Sequence, residues 1–354
     1  MIPFPRSVSS LLLAVLAGAL AGGCGPGEPP YPRLSDWHLF EDLPGQVPAE
    51  GLLPYEVNAL LYSDEAVKFR FLSVPHEATG AAISYVNKGR WTFPEGTILV
   101  KTFAYYHDAR DPSLGYDLIE TRLLVKSEDR WRAWTYVWDE DDRDARYFAA
   151  GKSVPVQWID SEGRERSLEY RVPNVLQCKT CHQNQDVLLP LGPRTRQLNR
   201  PHRYGAEEEN QIDRLADLGW LEPRPPPPEM RPKLPDPYGD DALELRARAY
   251  LEANCAHCHQ PGGNADASGL DLRYETPTGP STGICKTPVA TGQGSGGLRY
   301  AIQPGAPDES YLVYRMASTD PEIKMPELPT QTVDQRGLAL IRAWIAAMPP
   351  QSCR

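Results

Sequence analysis

Two five-residue blocks limit this chain more than anything else in it: CKTCH at 178–182 and CAHCH at 255–259. Each reads CxxCH. Two thiols three positions apart can add to the two vinyl groups on one edge of a porphyrin, and the following histidine then reaches the iron. Zinc is the chemical rival, but a zinc ribbon sets its cysteine pairs about 15–20 residues apart. Here Cys178 and Cys255 are 77 positions apart. A redox CxxC of the thioredoxin type needs a βαβ setting, and neither block has one. The spacing therefore points to two covalently bound haem c groups, held by Cys178, Cys181, Cys255 and Cys258. His182 and His259 are the proximal iron ligands, and His257, a variable position between thiols, is read as a surface or haem-edge residue turned from the iron.

Covalent attachment of this kind requires export, and the N-terminus supplies the signal for it. Arg6 precedes an apolar stretch from Leu11 to Leu20 that is too short to span a bilayer. LAGGC then ends in Cys24, as in a bacterial lipobox, so Cys24 is read as the lipidated first residue of the mature chain. That puts the protein in the periplasm or cell envelope, lipid-anchored, at the outer membrane. Of seven cysteines, only Cys285 and Cys353 are left over. In an oxidising compartment they form a candidate disulfide. The net charge of −10 argues against nucleic acid, which needs a basic face.

The expected fold class is α+β. Aromatic and β-branched runs such as TILVKTFAYY, LIETRLLVKS and WRAWTYVWDE predict an antiparallel β-sandwich-like domain over 34–172. Trp131, Trp134 and Trp138 are read as core and sheet-face residues of it. Mainly helical, cytochrome c-like haem domains are expected after that. The divisions are a signal peptide at 1–23, a tether at 24–33, a first haem module at 173–222, a Pro-rich linker at 223–240 and a second haem domain at 241–354. Two helices are predicted in the last part. DALELRARAYLEANC has Asp241 as cap, and TVDQRGLALIRAWIAAM has a Thr332–Gln335 capping box with Leu338, Ile341, Ile345 and Met348 on one face.

A sixth ligand is legible for the second haem: Met325, in IKMPEL, on a Pro-flanked loop ahead of the terminal helix. Met316, in YRMAS, is read as packing. For the first haem, Met230, His202, the β-domain residues His38, His76 and His107, and an open site all remain.

The chain resembles a family of exported bacterial di-haem c-type cytochromes of poorly defined role. The likeness rests on PYEVNALLYSDEAVKFRF, VPNVLQCKTCH, RARAYLEANCAHCHQPGG and IQPGAPDESYLVYRMAS. It implies electron transfer between periplasmic redox proteins, among them a quinoprotein dehydrogenase, with the membrane reached through the lipid alone. An electron carrier is favoured over an enzyme. The alternatives are a di-haem peroxidase-like oxidoreductase with an open first site, and a partner- or carbohydrate-binding protein acting through the β domain.

Overall fold

In a computed structural model of the protein, residues 29–289, 291–328 and 330–353 are described. The signal sequence, Cys24 and the first part of the tether lie outside them. The long apolar runs form one antiparallel sheet. Its strands are β1 (Leu53–Pro54), β2 (Val67–Ser73), β3 (Ile98–Tyr106), β4 (Tyr116–Ser127), β5 (Arg130–Trp138) and β6 (Ala145–Tyr147), neighbours in chain order. Successive side chains alternate between the two faces. Val100, Leu123 and Tyr136 point to one face, where Leu34, Leu39 and Leu52 of the N-terminal segment close over them. Trp138 belongs to that core, and Trp134 and Trp131 pack at core edges.

The opposite face is covered only at its ends. A hairpin of β7 (Lys152–Ile159) and β8 (Glu165–Val172) sets Val156, Trp158 and Tyr170 against Phe103 and Val137. At the other end Leu198, Ile212, Leu215 and Trp220 pack with Leu72 and Leu99. A strip of sheet between these two cores faces a cavity. The hairpin is a partial second layer, so the β part is a single sheet with one patch covered, not two full sheets of a sandwich.

The residues expected to form a separate first module share their core with the sheet. Burying side chains such as Leu198, Ile212 and Leu215 is worth roughly 1.5–3 kcal/mol each, and most of that apolar partner surface lies before residue 100. Leu221–Glu222 also pairs in parallel with Ile83–Ser84. The Pro-rich stretch is equally bound down. Arg231 is buried with bonds to Asn210 Oδ1 (3.2 Å), Asp213 and the Pro226 carbonyl, and Leu234 is buried against Ala59 and Ala249.

The expectation of mainly helical haem domains fails. The described residues hold seven helices beside six sheets, with no helical bundle. The longest of them are α1 (Val175–His182), α2 (Gln211–Asp217), α3 (Leu243–Asn254), α4 (Tyr311–Met316) and α5 (Gln335–Ala347). Among the described residues between α3 and α5 the only helix longer than a 3-10 turn is α4, with isolated bridges Ile284–Ile302 and Tyr300–Ser310. Glycine and proline recur through that stretch, and both disfavour helix.

Ile341 and Ile345 of α5 are buried against Tyr250 and Leu251 of α3, with Leu338 and Met348 at the edge. The caps differ from expectation. Ala242, not Asp241, precedes α3 and makes no side-chain cap. Asp334 caps α5 through Gly337 N at 2.8 Å. Thr332 is committed elsewhere, bonding Asp64 and the Tyr62 hydroxyl. Cys285 and Cys353 are joined as a disulfide, tying the loop beyond the second motif to the C-terminus. No described helix is long and apolar enough to cross a membrane.

Candidate functional site

The two CxxCH blocks fold differently. CKTCH lies within α1, whose start is fixed by a reciprocal cap: Gln177 N donates to Asn174 Oδ1 (2.8 Å) and Asn174 N to Gln177 Oε1 (2.9 Å). Helical spacing puts Cys178 and Cys181 on one face. The Cys178 thiol is raised by burial, while Arg122 and Thr135 on the sheet act on it from across the gap. CAHCH follows the end of α3 as a turn, with Cys258 N and His259 N both bonded to the Cys255 carbonyl. Burial pushes the Cys255 thiol up to about 12.

Each terminal histidine is held through Nδ1. His182 Nδ1 is 2.9 Å from the Leu189 carbonyl, which can only accept. The proton therefore sits on Nδ1, and Nε2 carries the free lone pair. His259 Nδ1 is 3.0 Å from Ser268 Oγ. Burial lowers both imidazoles to about 4, so both are neutral in the physiological range.

Two cavities border these groups. The first, about 580 Å³, lies between the uncovered sheet strip and CKTCH, and includes Cys178, Cys181 and His182 in its wall. The second, about 140 Å³, includes Cys255, Cys258, His259, Met316 and Met325. The first falls within the roughly 300–1,000 Å³ of ligand sites, and the second is smaller.

The motifs meet back to back. Cys258 Sγ donates to the Thr180 carbonyl at 3.3 Å, and Asn184 Nδ2 to the Pro261 carbonyl at 3.0 Å. Ligand atoms of Cys181, His257 and Cys258 all lie within 4.8 Å of one another. The Cys181 thiol is held well below the usual range by the adjoining Cys258 and by His257. Separation along the chain therefore does not exclude a shared metal, because folding closes the gap of 77 positions. His257 is buried and borders both cavities, so it is not a surface residue.

Met325 and His259 border the same cavity, as does Met316 from α4. The candidates for the first site are not gathered there. Met230 is 68% exposed in a 3-10 turn, and His202 packs edge-on to Tyr204 in a short hairpin. His76 bonds the Ala81 carbonyl and His107 bonds Asp117, both through ring nitrogens. None of these, nor His38, borders the first cavity. What does border it is a set of basic side chains that motif reading passed over: Arg70, Lys101 and Arg122. Part of their signal was available, since Lys101 is the one charged residue in its strand, ILVKTFAYY, whereas Arg70 and Arg122 share theirs with Lys68 and Lys126.

All four motif cysteines are free thiols, whereas Cys285 and Cys353 are paired. Free thiols in pairs, a neutral imidazole fixed through Nδ1 and an adjoining cavity are the requirements of covalent haem attachment. At CKTCH the donors and the cavity are compatible with that group, and at CAHCH the donors are present beside a smaller cavity. No family model, curated protein or solved structure matches the chain.

Proposed function

We propose that the protein is a di-haem c-type electron carrier of the cell envelope. One observation carries the reading: at both CxxCH blocks two unpaired thiols and an Nδ1-anchored histidine adjoin a cavity. Cys178, Cys181 and His182 would hold one haem c. Cys255, Cys258 and His259 would hold the other, with Met325 as its sixth ligand. When bound, each haem supplies one-electron exchange at iron. The chain's own residues fix the imidazoles, exclude water with the sheet and the C-terminal loops, and bring the two attachment points together at Thr180 and Cys258. That proximity supports a relay between two sites over two independent carriers. Lipid anchoring through Cys24 belongs to the same proposal, and the acidic net charge suits docking to basic redox partners.

The test is expression with a cytochrome c maturation system, followed by pyridine haemochrome analysis and intact mass. Two covalent haems per chain are expected. A second reading has its own observation, the Cys181–His257–Cys258 group, which offers three donors to a soft transition metal such as zinc. One metal ion per chain without haem would establish that reading instead.

A further inference from the structure

Across three neighbouring strands, Arg70 pairs with Lys101 and Lys101 with Arg122, with Thr135 next in register. Three cations thus stand side by side on the strip of sheet that faces CKTCH. Like charges directly opposite one another on a sheet destabilise it. One of the three is neutralised: Arg122 makes a two-pronged bond to Glu120, which also accepts from Tyr170. Among the described residues Arg70 and Lys101 pair with no carboxylate. Arg70 is 8% exposed and donates to the Lys68 carbonyl, while Lys101 sits over the Phe103 ring.

The rest of the wall repeats the imbalance. The first cavity is bordered by nine Lys and Arg side chains but only Glu252 and Glu327, in a chain whose net charge is −10. Glu252 is already bonded to Arg194. Burial, then the neighbouring Arg70, pushes Lys101 well below its ordinary value, and an anion in the cavity would offset part of that cost. Leaving unpaired cations under cover is expensive, and a row of them in register is a built receptor for negative charge.

We propose that the Arg70–Lys101–Arg122 row binds carboxylate groups within the cavity beside CKTCH. Resting on the haem reading above, the carboxylates are the propionates of the haem held there. The sheet is then part of the first site, supplying its anion-binding wall. A free organic acid has the same chemistry and is the other source.

The test uses the full-length purified protein as wild type, K101M, R70Q and the charge-keeping K101R. Haemochrome analysis counts haem, and spectroelectrochemical titration follows both midpoints. With two haems throughout, K101M and R70Q should shift one haem about tenfold toward its ferric form, about 59 mV for one electron. The other haem should not move, and K101R should restore the wild-type value. Unchanged midpoints in both variants, with two haems still bound, overturn the proposal. If the wild type carries no haem, the reading of the motifs falls and the row is tested by succinate. A rise in melting temperature that K101M abolishes assigns the row to a free acid, and no rise in the wild type overturns it. R70Q serves where K101M fails to accumulate.

Discussion

CKTCH and CAHCH share a spacing and little else. The first sits in a capped helix under a basic sheet, beside a cavity of about 580 Å³ with no methionine in its wall. The second is a turn in a small cavity bordered by two methionines and few charges. A five-residue motif specifies where a macrocycle attaches. What surrounds it is specified by segments far away in the chain: strands before residue 125 for the first site, and the loop around residue 325 for the second.

The sharpest test removes one site at a time. C178A/C181A should leave one haem per chain and keep the sulfur-to-iron charge-transfer band, while C255A/C258A should leave one haem and lose that band. Retention of two haems in either double variant would break the comparison at its root. Next in size is the contrast between the two methionines. Met325→Ala should abolish the band and lower the potential of one haem only, because a thioether stabilises ferrous iron. Met316→Ala should keep the band and instead cost about 2–5 kcal/mol of stability, since Met316 is 7% exposed in the core formed with α3 and α5. If Met316→Ala removes the band and Met325→Ala does not, the ligand assignment reverses.

A smaller effect is expected at the joint between the two regions. Asp64, buried within the turn Ser63–Ala66 before β2, accepts from Gln331 N, Thr332 N and Thr332 Oγ1 at 2.7–2.9 Å. These bonds hold the sheet to the segment just beyond Met325. Asp64→Ala leaves three donors without their partner and should cost about 1.5–3 kcal/mol, the range for hydrogen bonds to a charged group. Urea unfolding should show a lower midpoint at unchanged slope. A midpoint shift below the error of the measurement would mean that water replaces Asp64 and the two regions are not coupled there.

How much of this was legible in the sequence depends on the range of the signal. The long strands, α3 and α5 were readable because their patterns are local: Leu338, Ile341 and Ile345 recur at helical spacing, and Lys101 and Phe103 alternate with Thr102. The caps were half readable. Thr332 has the right chemistry for α5, but Asp64, far away in sequence, binds it first. The domain divisions were not readable, since a proline run such as 223–237 looks like a tether until Arg231 and Leu234 are found buried. The cation row was invisible as a row. It exists only once β2, β3 and β4 pair in a particular register, and no short window contains Arg70, Lys101 and Arg122 together.

The smallest effects should come from residues that chain order placed near the first site and folding did not. Met230→Ala and His202→Ala should leave the spectra and midpoints of both haems unchanged. Met230 is exposed, so its removal should change stability by no more than about 0.5 kcal/mol. His202 is half-buried against Tyr204, and its loss is confined to that contact in the hairpin Pro201–Tyr204/Glu207–Asn210. A low-spin to high-spin change at one haem in either variant, read by low-temperature EPR, would show that the chain rearranges around CKTCH when haem is attached. It would also replace the basic sheet by that residue as the partner of the first site.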